Sequence, residues 1–285
     1  MKEQATYQEP SPQEPSSLFF VSLGDHNPTT IILLHGGLSC HLEWSEVVPY
    51  LVGRYHVLLP DLPSHSASRH IKLVSVEDVA HRVADLIRTH AHGSRAHVVG
   101  LSMGGFIAQR LAIEHPSLVM SLFVTGAEPY REGIRLTVAH QPALVFCVVW
   151  LILFLPDWLY WSYASWIGFR RHEALLIEMR QNCTLEMLRN EFRSIVRYKL
   201  SDVKRIQSRT ITVAGGKQDD VAGTALVGNA LRDRDIEGSE SRFMSRSVVV
   251  NQALHAWNLQ YPALFAAGIL AWIENTALPE EFQDI

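Results

Sequence analysis

The chain has 285 residues, 47% hydrophobic and 19% charged, which is enough apolar material for one large domain or one domain with an insertion. A formal net charge of −4 gives no basic field for nucleic acid, and disorder and coiled coil do not fit this composition. Cys40, Cys147 and Cys183 are odd in number, far apart and without Cys-x-x-Cys spacing, so neither disulfides nor zinc are expected.

Residues 1–17 are rich in Glu, Gln, Pro and Ser and lack the cationic start and apolar stretch of a secretory signal. They read as a disordered tail on a cytoplasmic protein. Leu18–Val21 and Thr30–Leu34 read as strands, parted at hairpin spacing by the turn signal Gly24–Pro28. A short helix carrying Trp44 is expected over Leu42–Leu51, then an apolar strand at His56–Leu59 and a helix from Val76 to Thr89.

Strands follow at Ala96–Val99, Leu118–Val124, Thr210–Val213 and Ser247–Val250, with helices at Phe106–His115, Thr224–Leu231 and Leu259–Ile273. Apolar, β-branched strands alternating with helices imply an α/β fold whose mostly parallel sheet is covered on both faces. The alternation places the core in residues 18–127 and 204–285. Residues 128–203 break it with helical, apolar segments and read as an inserted cap. Within them Ala143–Leu155 is uninterrupted by charge but stops at Pro156, short of the ~20 residues a membrane-spanning helix needs. Trp150, Phe154, Trp158, Tyr160, Trp161, Tyr163 and Trp166 crowd the same region. They fit a core stripe, an apolar substrate pocket or an interfacial surface, on different faces if need be.

Gly100-Leu101-Ser102-Met103-Gly104 lies between an apolar strand and a helical pattern, as a nucleophile elbow does. Ser102 is the candidate nucleophile, and a serine hydroxyl needs a base to take its proton. Among 14 histidines, His255 stands in a loop between the last expected strand and helix, where a base belongs. Asp219, after the strand Thr210–Val213, is the candidate acid that would orient it. Asp220 could instead cap the next helix, and Glu128, at the end of an earlier strand, is an alternative acid. His35, His65, His97 and His115 read as structural, and Asp157 and Glu173 as surface groups. No spacing suggests a metal site, and no cofactor is expected.

Ser102, Asp219 and His255, in that order on an alternating sheet, resemble the α/β-hydrolase family over nearly the whole chain. The resemblance implies an oxyanion hole made by the N–H of Met103 and one from His35-Gly36-Gly37, with Gly37 favoured and Leu38 behind it. Asp61–Ser68 resembles the family's Asp-x-Pro-Gly-His-Gly-x-Ser loop with serine at both glycine positions, which leaves that loop's conformation open. A serine nucleophile implies acyl chemistry, and the apolar cap suggests an ester or thioester of a hydrophobic acyl group. A weaker resemblance is to stand-alone fungal thiohydrolases that release polyketide chains from carrier domains, which would make a carrier protein a partner. A hydrophobic ligand-binding protein on the same scaffold, a carbon–carbon bond hydrolase and an acyltransferase are the alternatives. Membrane contact through the cap is not favoured.

Overall fold

The computed structural model describes residues 17–131, 133–237 and 245–285, with the side chains of 134, 135 and 235–237 excluded. The expected tail, residues 1–17, falls outside these apart from Ser17. Among the described residues eight strands form one sheet: β1 (Phe20–Leu23), β2 (Thr30–Leu34), β3 (His56–Pro60), β4 (Ala96–Leu101), β5 (Val119–Thr125), β6 (Thr210–Gly215), β7 (Arg246–Val250) and β8 (Phe282–Asp284). Their order is β1-β3-β2-β4-β5-β6-β7-β8, parallel from β3 to β7 and antiparallel at both edges.

The hairpin expected between β1 and β2 does not form; β1 pairs with β3, Val21 opposite Leu59. Every residue of β2 is buried, and a strand covered on both faces takes a neighbour on each edge. β1 alternates half-buried and buried residues, which suits an edge. Successive residues of the central strands serve opposite layers. Ile32, Leu34, Val98 and Leu122 pack under α1 (Val76–His90) and α2 (Met103–Glu114), while Ile31, Leu33, Val99 and Phe123 pack against Trp44, Trp257 and Phe265.

The helix expected over Leu42–Leu51 is two 3₁₀ turns, His41–Trp44 and Val48–Tyr50. Pro49 has no N–H to donate and its ring crowds the preceding turn, which ends a continuous helix there. Pro262 likewise divides the last helix into α10 (Trp257–Gln260) and α11 (Pro262–Glu274). The helix expected at Thr224–Leu231 runs longer, as α9 (Val221–Glu237). β8 was not foreseen; its Asp284 takes two 2.8 Å hydrogen bonds from Arg246 on β7.

Between β5 and β6 lie α3 (Ile134–Ala139), α4 (Pro142–Leu153), α5 (Asp157–Trp166), α6 (Glu173–Asn182), α7 (Leu185–Ile195) and α8 (Leu200–Val203). α4 is apolar throughout, yet Leu153 is its one buried residue. Trp158 and Trp166 of α5 are 71% and 82% exposed. Among the described residues no single helix is long and apolar enough to cross a membrane, and α4 and α5 meet at a 100° bend.

Candidate active site

β4 ends at Leu101 and α2 begins at Met103, so Ser102 alone makes the turn, at φ 54° and ψ −120°. Left-handed backbone costs a non-glycine residue roughly 1–2 kcal/mol. The surroundings hold it: Ser102 N donates to Thr125 O at 2.9 Å, and Ser102 O accepts from Gly105 N at 2.9 Å and Phe106 N at 3.1 Å. A Cβ at Gly100 would overlap the Gly104 carbonyl, and one at Gly104 would overlap the Leu34 carbonyl, which is why the elbow carries glycine on both sides.

His255 stands on the loop between β7 and α10. Its Nδ1 lies 2.6 Å from Asp219 Oδ1, and the Asp219 side chain is 2% exposed. Asp219 Oδ2 accepts from Gly215 N at 2.7 Å, and His255 N donates to Gln218 Oε1 at 3.0 Å, so both partners are pinned to the end of β6. An Nδ1–H donated to a carboxylate leaves Nε2 as the acceptor nitrogen. Burial draws the imidazole pKa down, but the hydrogen bond and charge of Asp219, aided by Glu128 and Glu43, carry it above its ordinary value. Ser102 and His255 line one cavity of about 160 Å³, with Gly37 at one side and Trp161, Phe169 and Leu176 supplying apolar wall.

The alternative acids are engaged elsewhere. Asp220 accepts from Gly223 N at 2.9 Å and pairs with Arg131 at 3.3 Å, holding the start of α9. Glu128 Oε1 accepts from Asp220 N at 3.1 Å. In the loop after β2, Gly36 N donates to Glu43 Oε2 at 2.9 Å and Leu38 N to His65 Nε2 at 3.1 Å. No acceptor among the described residues takes the N–H of Gly37 or Met103. Two free donors thus remain beside Ser102, and Leu38 is not one of them.

His35 and His65 are buried, their rings 5.1 Å apart, and each bridges two backbone groups: His35 joins Gly36 O to Leu62 N, His65 joins Pro63 O to Leu38 N. Burial lowers His35 to about 3 and His65 to about 4, keeping both neutral. His97 bonds Ser121 at 2.8 Å, and His115 sits in an exposed cluster with His81 and Arg88. Asp157 pairs with Arg180 and Glu173 with Arg171. The serines of the Asp61–Ser68 loop keep left-handed backbone, φ 66° at Ser64 and 43° at Ser66. Leu73 N donates to Ser64 Oγ at 2.8 Å, and Ser66 N donates to Asn182 Oδ1 at 2.8 Å.

Cys40, His41 and Asp61 bring possible metal ligands within 4.8 Å of one another. Asp61 already accepts from His41 N, His41 Nδ1 and Ala67 N, and burial pushes the Cys40 thiol up to about 12, so the trio fits a loop clamp. Sequence reasoning missed Asn182. Its amide also donates to Leu38 O and Ser39 O, each at 2.9 Å, joining α6 to the loop that carries Gly37.

Strand order and elbow together define an α/β-hydrolase fold. A family model described as alpha/beta hydrolase fold matches residues 29–146. An AB hydrolase superfamily protein of Gibberella zeae is 32% identical over 274 residues, covering 95% of this chain and 88% of that one. A pimeloyl-[acyl-carrier protein] methyl ester esterase of Chromobacterium violaceum is 38% identical over 117 residues, a local match to 40% of this chain and 42% of that one. The enol-lactonase from Burkholderia xenovorans superposes with a TM-score of 0.67 at 16% identity, over 90% of this chain and 96% of that one. The chain belongs to the AB hydrolase superfamily.

Proposed function

We propose that the protein hydrolyses an ester or thioester of a hydrophobic acyl group through an acyl-enzyme on Ser102. His255 takes the serine proton, Asp219 fixes its tautomer and steadies the imidazolium, and the N–H groups of Gly37 and Met103 hold the oxyanion. The observation that carries this reading is the strained Ser102 elbow sharing one cavity with the His255–Asp219 pair. The ester-cleaving names of the Chromobacterium and Burkholderia relatives support it.

A cavity of about 160 Å³ suits a group of roughly benzene size, since a cavity of ~150 Å³ holds that ring. The acyl group is therefore compact where it meets Ser102, against the apolar side chains of α5 and α6. A carrier-bound thioester is the finer form of the proposal, with α3–α8 acting as cap.

Intact mass after incubation with a fluorophosphonate tests the reading. One adduct on the wild type, lost in Ser102→Ala and His255→Ala, is expected, followed by turnover of acyl esters or thioesters. No adduct on folded wild type would favour a ligand-binding scaffold instead.

A further inference from the structure

Glu191 lies on the buried stripe of α7 with Leu188 and Ile195 and is 7% exposed. Its carboxyl stands directly against Gly37, where a Cβ would sit 2.6 Å from Oε2 and 2.7 Å from Oε1. The acid thus fills the space that a side chain would occupy at Gly37, beside one of the two free N–H donors. Oε2 has no hydrogen-bond partner. Burial pushes the group up to about 7, opposed by the charge of His255. A buried acid with an unused oxygen holds its proton more readily than it bears a charge.

The other charges around it are engaged. Arg110 of α2 is held by Glu77 and Glu114, and Glu43 by Gly36 N. On α1, Asp78 pairs with Arg82 and Asp85 with Arg88. α4 offers Cys147 alone, which is exposed, and on α7 itself Glu186, Arg189 and Arg193 face solvent.

We propose that Glu191 is a further residue of the reaction site, an uncharged acid whose carboxyl O–H, turned from its sealed Oε2 toward Gly37, donates to the substrate oxygen held there. The proposal rests on the reading that Ser102 attacks an acyl substrate there. A protonated carboxyl adds a donor where negative charge develops. An ionised one removes that donor and sets a like charge beside the oxyanion. Reaction accordingly requires His255 without its extra proton and Glu191 with its own, so the rate rises with pH through the first titration and falls through the second.

The test is the rate at which a fluorophosphonate labels Ser102 in the full chain, followed by intact mass between roughly pH 5 and pH 9. Wild type should give a narrow bell falling above about 7. Glu191→Gln keeps an N–H donor that does not ionise, and should label within about 3-fold of the wild-type maximum without the alkaline fall. Glu191→Leu should label at least ~10-fold more slowly than wild type at the wild-type maximum and should lack the alkaline fall. An unchanged alkaline fall in Glu191→Gln, or wild-type labelling by Glu191→Leu, overturns the proposal. Should Glu191→Leu fail to fold by circular dichroism, the Glu191→Gln profile decides alone. Folded wild type that never labels overturns the hydrolase reading and this inference with it, whereas labelled wild type with unaltered variants overturns this inference only.

Discussion

Gly126, just past β5, shows how a residue with no functional atom can govern the site. It holds φ +60°, and a Cβ there would sit 2.5 Å from His255 Cε1, 2.7 Å from Nδ1 and 3.5 Å from Asp219 Oδ1. Carbon contacts are comfortable at about 3.5–4.0 Å, so Gly126→Ala must drive the imidazole back by about 1 Å. A misplacement of that size costs about 10²-fold in rate. The left-handed backbone adds about 1–2 kcal/mol of instability. Gly93 separates the two effects, since it has φ +63° and nothing within 4 Å of its would-be Cβ. Both variants should melt about 2–8 °C lower. Only Gly126→Ala should lose about 100-fold in the rate of fluorophosphonate labelling, measured on protein checked by circular dichroism. Equal labelling rates in the two variants would show that Gly126 does not set the position of His255.

Asp219→Asn should lower turnover by about 10⁴-fold by allowing the wrong imidazole tautomer, while Asp220→Ala should label normally and lose about 1 kcal/mol with its helix cap; the reverse ranking would move the acid to Asp220. His35 and His65 resist protonation when folded but accept it near 6.5 when unfolded, so protons favour the unfolded chain below pH 6.5 and stability falls with pH. Between 6.5 and about 4.5 the loss should be about 2–3 kcal/mol per histidine. A urea midpoint unchanged across that interval would contradict the neutral assignment of these rings. Asn182→Ala should cost about 2–3 kcal/mol by stranding the Leu38 and Ser39 carbonyls and Ser66 N, and should slow labelling by loosening the loop that carries Gly37. Unaltered labelling would confine Asn182 to stability.

The parallel centre of the sheet was legible because its strands are short, mostly apolar runs, and a buried parallel strand reads that way at any position in the chain. The elbow was legible for a stronger reason: Gly100 is demanded by the Gly104 carbonyl within the turn and Gly104 by the Leu34 carbonyl of the neighbouring strand, and both marks fall within five residues. Strand partnership is not local. That β1 passes over β3's position and leaves β2 inside follows from which strand can tolerate an edge, and Phe282–Asp284 is too short to declare itself at all. Asn182 acts on Leu38 from 144 residues away in the chain, with nothing in its own helix to mark it. Glu191 did leave a signal, an acid at the helical spacing of Leu188 and Ile195 where an apolar residue belongs, and a charged residue on a core stripe is the pattern that would have found it.

α5 has a further consequence. Tyr160, Trp161 and Ala164 face the cavity, while Trp158, Tyr163 and Trp166 of the same ten residues face outward. The partition between cavity and solvent is therefore one helix thick here, and its two surfaces cannot be edited independently. Polar substitutions chosen to make the outer face easier to handle would tilt or rotate the helix that shapes the inner one, and solubility and selectivity would travel together.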